Sequence, residues 1–198
     1  MSIARARLFL IIGPSGVGKG TTVDFLKKNY SQTFVFPVSA TTRPPRPGEK
    51  EGETYYFLSE EDFRSRIKND EFLEWAEVHN SYLYGTLKKP IFDAIRDGKN
   101  VVRELDIQGF ESVQKILPRD EYVSIFLLPP SLEVLERRIR ERSPLSDAEV
   151  EKRMESAKIE LEKSKECHYL VQTVDRDVPG TLRDVLNILK KEIPELEE

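Results

Sequence analysis

Apolar positions along the chain fall into two alternating patterns. Short continuous runs at residues 7–12, 34–38, 100–105, 122–128 and 169–173 predict strands. Longer helical patterns lie between them, at 19–28, 90–97, 109–116, 131–141, 147–165 and 181–190. Strands alternating with helices predict an α/β fold, a parallel sheet flanked by helices on both faces. In such folds ligands gather at the carboxyl ends of the strands.

The rhythm breaks between residues 43 and 87. Arg43-Pro44-Pro45-Arg46-Pro47-Gly48-Glu49 is dense in turn formers, and strand-like pieces follow at 54–58 and 72–78. Between these pieces Ser59 stands as an N-cap before Glu60, Glu61 and Asp62, which predicts a helix start. The stretch reads as a mostly β insertion in the α/β core. The acidic end, Glu195-Leu196-Glu197-Glu198, reads as a frayed tail.

The 198 residues suffice for one substantial core or a compact domain with inserts. A third of them are charged, yet the net charge is only −4, which argues against a protein that coats nucleic acid or a membrane surface by bulk charge. No apolar run approaches the length of a bilayer span, and the five-residue run after the slightly basic start is too short for a secretory core. The single cysteine, Cys167, has no partner for an internal disulfide, and neither it nor His79 or His168 sits in a zinc-site spacing. Both histidines read as surface or packing residues. A cytoplasmic location is the expectation.

The chemistry begins at Gly13-Pro14-Ser15-Gly16-Val17-Gly18-Lys19, placed between the first strand and the first helix. Strand, glycine loop ending in lysine, then helix is the arrangement of a nucleoside triphosphate cradle. Glycines let successive backbone N–H groups turn toward phosphate oxygens, the helix adds its positive end, and Lys19 supplies a mobile cation. The hydroxyl residue usual after the lysine is replaced by Gly20, so Thr21, one step on, is expected to face Mg²⁺, directly or through water. Arg43 and Arg46, three apart in a proline-stiffened loop, match a second phosphate. Read alone they would be a solvated basic turn; a nucleotide cradle in the same chain reverses that preference. Ser39, Tyr55 and Tyr84 offer further hydroxyl donors. Glu74 sits among large apolar groups in Glu71-Phe72-Leu73-Glu74-Trp75. It could accept two hydrogen bonds from a guanine edge, with Thr86 or the backbone near Gly85 donating to the ring carbonyl, or it could point to solvent from a strand.

Taken together these motifs resemble the guanylate kinase family over nearly the whole chain. The resemblance rests on the glycine loop through Thr21, on Ser39-Ala40-Thr41-Thr42-Arg43-Pro44-Pro45-Arg46-Pro47-Gly48-Glu49 with Tyr55-Tyr56-Phe57, on Glu71–Trp75, on Tyr84-Gly85-Thr86, and on Glu104-Leu105-Asp106-Ile107-Gln108-Gly109. Arg138, Arg142 and Arg153 occur at the family's spacing, followed by Ala157 and Glu160-Leu161.

The resemblance implies a P-loop core (1–38, 88–137 and 154–198), a GMP-holding insertion (39–87) and a helical lid (138–153). It implies transfer of the terminal phosphoryl of ATP to GMP, and to dGMP, with Mg²⁺ and without nucleic-acid or membrane partners. Gly13, Pro14, Ser15, Gly16, Val17, Gly18, Lys19, Gly20 and Thr21 would hold ATP. Ser39, Arg43, Arg46, Tyr55 and Tyr84 would hold the GMP phosphate, and Glu74, Gly85, Thr86 and Asp106 the base. Lys19, Arg43, Arg138, Arg142 and Arg153 would act on the transferred group. Two other readings share the scaffold: a kinase of another small phosphate ester, and a non-catalytic module that binds a phosphorylated peptide.

Four positions depart from the family pattern. Gly20 is one. Arg103 replaces an apolar strand residue and either reaches a strand end or pairs with an acid. Ser143-Pro144-Leu145 replaces a glycine-containing turn. Asp175-Arg176-Asp177 replaces an Asn-Asp pair expected beside adenine. Oligomeric state has no signature in the sequence.

Overall fold

The computed structural model describes residues 6–78, 82–142 and 145–197. Strand β1 (Leu8–Ile12) is apolar at every position and wholly buried. It is the middle strand of a five-stranded sheet, flanked by β7 (Asn100–Leu105) and β8 (Tyr122–Leu128). Strands β2 (Phe34–Val35) and β9 (Tyr169–Gln172) close the two edges, giving the order β2-β7-β1-β8-β9, and every pairing is parallel. Parallel strands require crossovers, and the helices that make them cover both faces.

Alternation along β1 divides the core in two. Phe9 and Ile11 point to one face, packing with Leu26 of α1 (Lys19–Asn29), Leu135 and Ile139 of α5 (Leu132–Arg142), Val150 and Ala157 of α6 (Asp147–Lys163), and Val185 and Leu189 of α7 (Val178–Glu192). Leu8, Leu10 and Ile12 point to the other, against Ile91 of α3 (Lys88–Arg96) and Phe110 and Val113 of α4 (Ile107–Ile116). All five predicted core strands and all six predicted core helices are present, with ends shifted by a few residues. The largest shift is at 34–38, where the strand stops at Val35: Pro37 has no N–H to give the ladder. The chain end is not frayed throughout, because residues 194–197 form a short 3₁₀ turn and Leu196 is buried in the first core cluster.

A second sheet lies within residues 39–87. Its order is β4 (Tyr55–Phe57), β3 (Ser39–Thr41), β6 (Tyr82–Leu87), β5 (Phe72–Val78), with β3 parallel to β4 and the other pairs antiparallel. Sequence patterning missed β3 and β6. Helix α2 (Glu60–Lys68) begins as expected, the Ser59 hydroxyl accepting from the Asp62 N–H at 3.0 Å. Phe63 of α2 stacks on Phe72 with ring centroids 4.3 Å apart, and Ala40 and Leu83 complete this small core.

His168 is a packing residue. Its ring accepts from the Ser124 N–H at 3.1 Å and lies edge-on to Tyr122. His79 and the Ser143-Pro144 turn lie outside the described residues.

Candidate active site

The loop after β1 is shaped by glycine. Gly13 has φ of +143°, and a Cβ there would sit 2.7 Å from the Leu127 carbonyl oxygen of β8, closer than real contacts allow. The next helix starts bare: Gly18 is its N-cap, no side chain caps it, and its first turn holds no acidic residue. Unsatisfied N–H groups and the positive helix end therefore face the loop, which is the chemistry of an anion site. The Lys19 ammonium folds back onto the loop, donating to the Gly13 carbonyl at 2.5 Å and the Pro14 carbonyl at 3.2 Å. Burial lowers its pKa, and Glu160, Glu104 and Asp106 oppose that fall. The two threonines divide: Thr22 is buried and donates to the Gly18 carbonyl at 3.1 Å, whereas Thr21 is exposed.

A cavity of about 560 Å³ opens over this loop. Ser15, Gly16, Gly18, Lys19, Gly20 and Thr21 line it from below, and Glu104, Asp106, Arg138, Arg142 and Glu160 from the sides. Glu104 faces the cradle: its Oε2 is 3.7 Å from where a Gly20 Cβ would stand. Asp106 caps α4, its Oδ1 accepting from the Gly109 N–H at 2.8 Å. Its charge acts on Lys19, on Glu160 and on Glu74. Glu160, which the motif reading gave no role, is buried with Oε2 lacking a hydrogen bond, and burial pushes its pKa up to about 7.

The three arginines expected to form a lid occupy different places. Arg142 lines the cavity over Lys19. Arg138 also lines it, but its guanidinium donates to the Val174 carbonyl at 3.2 Å and lies 3.5 Å from Asp175. Arg153 lines an adjoining cavity with Ser15 and Glu160 instead. Arg137 of the same helix also reaches Asp175, at 2.7 Å, tying α5 to the loop after β9. A cleft of about 280 Å³ between this loop and the glycine loop is lined by Gly16, Val17, Gly18, Thr21, Asp175, Arg176 and Val178, among others.

The insertion sheet presents two chemically different faces. Ala40, Leu83 and Leu87 turn toward Phe63, while Ser39, Tyr84 and Thr86 alternate to the opposite face. A bulge between Phe72 and Glu74 adjusts β5 to this division: Phe72 pairs with Leu87, and Glu74 then pairs with Thr86. Without the extra residue, Phe72 and Glu74 would share a face. The fully buried Thr86 hydroxyl donates to Glu74 Oε1. Burial raises the Glu74 pKa; the Thr86 hydrogen bond and the Arg103 charge lower it. Gly85, between them, is required by packing: a Cβ would lie 2.8 Å from Phe72 Cδ1 and 2.9 Å from the Glu74 carbonyl oxygen.

Arg43 and Arg46 are organised by Glu49 as much as by proline. The Arg43 Nη2 donates to both Glu49 oxygens, at 2.8 and 2.9 Å, and the Arg46 backbone N–H donates to Glu49 at 2.7 Å. The Arg43 guanidinium lies 5.6 Å from the centre of the Tyr55 ring, which meets Tyr84 edge-on at 6.0 Å. The Arg46 side chain is exposed. The charge of Asp106 acts both on Lys19 of the glycine loop and on Glu74 of the insertion sheet.

The family model described as guanylate kinase matches residues 5–192. The chain belongs to the guanylate kinase family. It is 44% identical over 167 residues to a guanylate kinase of Synechococcus sp. (strain JA-3-3Ab), covering 84% of this chain and 75% of that protein. It is 39% identical over 183 residues to a guanylate kinase of Malacoplasma penetrans (strain HF-2), covering 92% and 93%. Among solved structures it is similar to guanylate kinase from Anaplasma phagocytophilum, with a TM-score of 0.69, 29% identity, and 96% and 87% of the two chains covered. That likeness carries the α/β fold with its parallel central sheet. Within this guanylate kinase family member, Glu49, Glu160 and Arg103 are the site-region residues whose contacts sequence reasoning did not supply. The acidic residue after Pro47-Gly48 and the acid following Ala157 were signals present in the motifs.

Proposed function

We propose that this chain transfers the terminal phosphoryl of ATP to GMP, giving ADP and GDP. The observation that carries the reading is the presence in one chain of a bare helix end with Lys19 and a separate buried Glu74–Thr86 pair, both under the charge of Asp106. Two polyanions repel, so positioning and cations do most of the work in such a transfer. Lys19 and the amides of the glycine loop hold the donor phosphates. Arg43, held by Glu49 and Tyr55, and the exposed Arg46 hold the acceptor phosphate with Ser39 and Tyr84. No general base is required, because a phosphate monoester already carries a nucleophilic oxygen near neutral pH.

Glu74 and Thr86 read the base. Guanine offers two adjacent N–H donors to a carboxylate and a carbonyl to a hydroxyl, for which Thr86 must turn its proton away from Glu74; adenine offers neither in that arrangement. Arg138, Arg142 and Arg153 close from the 138–153 segment onto the transferring group, excluding water. Arg138 must leave Val174 and Asp175 to do so.

Mg²⁺ suits the donor set. Among the described residues no group of three or more His, Cys, Asp and Glu could hold a metal alone, and Mg²⁺ characteristically arrives on nucleotide phosphates with most of its waters. Thr21, Glu104 and Asp106 offer oxygens beside Lys19 to meet it. When bound it would neutralise charge on the outer phosphates. No helix among the described residues is long and apolar enough to cross a membrane.

Purified protein given ATP, Mg²⁺ and GMP should form ADP and GDP in equal amounts. Formation no faster than in a Lys19→Ala control would refute the reading.

A further inference from the structure

Arg103 breaks an apolar row. On β7, Val101 and Leu105 share its face and both are buried in the second core cluster. A leucine at this position would extend that packing with no charge to compensate, whereas a half-buried arginine must be matched. Its contacts do not stay on β7. Nη1 donates to the Pro37 carbonyl at 3.1 Å and Nη2 to the Ser39 hydroxyl at 2.5 Å, while Nη2 lies 3.9 Å from Glu74 Oε1. Nε is buried without a hydrogen-bond partner. One side chain thus joins a core strand, the segment entering the insertion, and the bulged strand that carries Glu74.

The 3.9 Å separation is the informative distance. It is beyond hydrogen-bond range, so Arg103 acts on the charge of Glu74 without occupying a lone pair. Thr86 takes one acceptor position on Oε1. The rest of the carboxylate stays available for N–H donors from a ligand.

We propose that Arg103 is a positioning residue for purine specificity: from behind the acceptor pocket it balances the charge of Glu74 and fixes Glu74 relative to Ser39. This rests on Glu74 and Thr86 being the base readers. A carboxylate must be ionised to accept from two guanine N–H groups, and burial works against that state. The groups facing Glu74 are the Thr86 hydroxyl from β6, Arg103 from β7 and Asp106 beyond β7; the first two favour the ionised form and Asp106 opposes it. Burial lowers the Arg103 pKa, and Glu74, Glu104 and the Tyr55 phenol oppose that fall by favouring its charge. With Arg103 gone, Asp106 is the only charge left acting on Glu74 among these groups, and Glu74 holds its proton to higher pH.

The test is calorimetric titration of GMP into the full chain between about pH 5.5 and 8. Four variants are compared with the parent: Arg103→Leu, Arg103→Lys, Glu74→Gln and the Arg103→Leu/Glu74→Gln double. Arg103→Leu should weaken GMP binding about tenfold or more at the acid end of this range, and the loss should shrink as rising pH ionises Glu74. The titration of the GMP phosphate is common to all proteins and cancels. Arg103→Lys should restore most of the lost acid-side binding, and in the Glu74→Gln background Arg103→Leu should add little. Equal loss at every pH, or full additivity with Glu74→Gln, would reduce Arg103 to a packing role and overturn the proposal. Unchanged GMP affinity in Glu74→Gln would instead remove the base-reading assignment itself. Should Arg103→Leu fail to fold, Arg103→Gln carries the same comparison.

Discussion

Replacing Gly85 by alanine tests how the acceptor pocket is built. No unusual backbone angle is involved, so the effect comes from contact alone. The added carbon would lie 2.8 Å from Phe72 Cδ1 and 2.9 Å from the Glu74 carbonyl oxygen. The ring can tilt only against Phe63, stacked 4.3 Å away, and the carbonyl belongs to the β5 backbone. Strand β5 must therefore shift at its bulge, where Glu74 is matched to Thr86. Overpacking of this kind costs about 1–3 kcal/mol, and each kcal/mol lowers Tm by about 2–4 °C in a chain this long. A fall of about 2–12 °C is expected by scanning calorimetry. Steady-state kinetics should show kcat/KM for GMP reduced at least about tenfold, a loss of about 1.4 kcal/mol in transition-state binding, with KM for ATP unchanged. Gly98→Ala is the control: its φ is +76° but nothing lies within 4 Å, so it should cost stability without touching GMP. A Gly85→Ala protein with parental Tm and parental GMP kinetics would refute the packing account of the bulge.

Three further outcomes follow from particular side chains. Glu160 binds its proton more tightly in the fold, with pKa about 7 against an ordinary 4.5, so it destabilises the fold increasingly as pH rises through that window. Glu160→Gln should leave Tm unchanged below about pH 4.5 and gain of order 2 kcal/mol by pH 8, discounted for partial solvent screening; a constant difference across pH would contradict this. Thr21→Ala should raise the Mg²⁺ concentration needed for half-maximal turnover with Tm nearly unchanged, whereas Thr22→Val, which removes a buried bond to Gly18, should lower Tm by a few degrees; the reverse pattern would exchange their roles. The Cys167 thiol is buried and pushed up to about 12, so a disulfide reagent at about pH 8 should label it only as fast as the protein opens. Immediate labelling of the native protein would refute that burial.

The features legible in the sequence are those whose signal is local. Strand β1 is a continuous apolar run, and the glycine loop and the cap at Ser59 are contiguous motifs. Strand β3 is only three residues long, and β6 reads Tyr-Leu-Tyr-Gly-Thr-Leu, where Gly85 interrupts strand propensity for a reason that lies on β5. The orientation of Glu74 was undecidable from alternation, because the bulge that sets it is a property of strand pairing. Glu49 stands inside a recognised motif, yet its grip on Arg43 and on the Arg46 N–H depends on how the proline loop folds back. Arg103 was visible as a misfit; the partners that explain it come from residues far away in the chain. Arg138, Arg142 and Arg153 match the family's spacing, but that Arg138 rests on the loop after β9 has no local signal.

The central claim is that one chain holds a triphosphate cradle and a pocket that reads guanine through Glu74 and Thr86. Its most direct test is kcat/KM for GMP against AMP, measured with the same protein at the same ATP and Mg²⁺. Because adenine would leave the remaining acceptor positions of the buried Glu74 carboxylate unpaired, the account predicts a preference for GMP of about ten-thousandfold. Comparable use of AMP would contradict it.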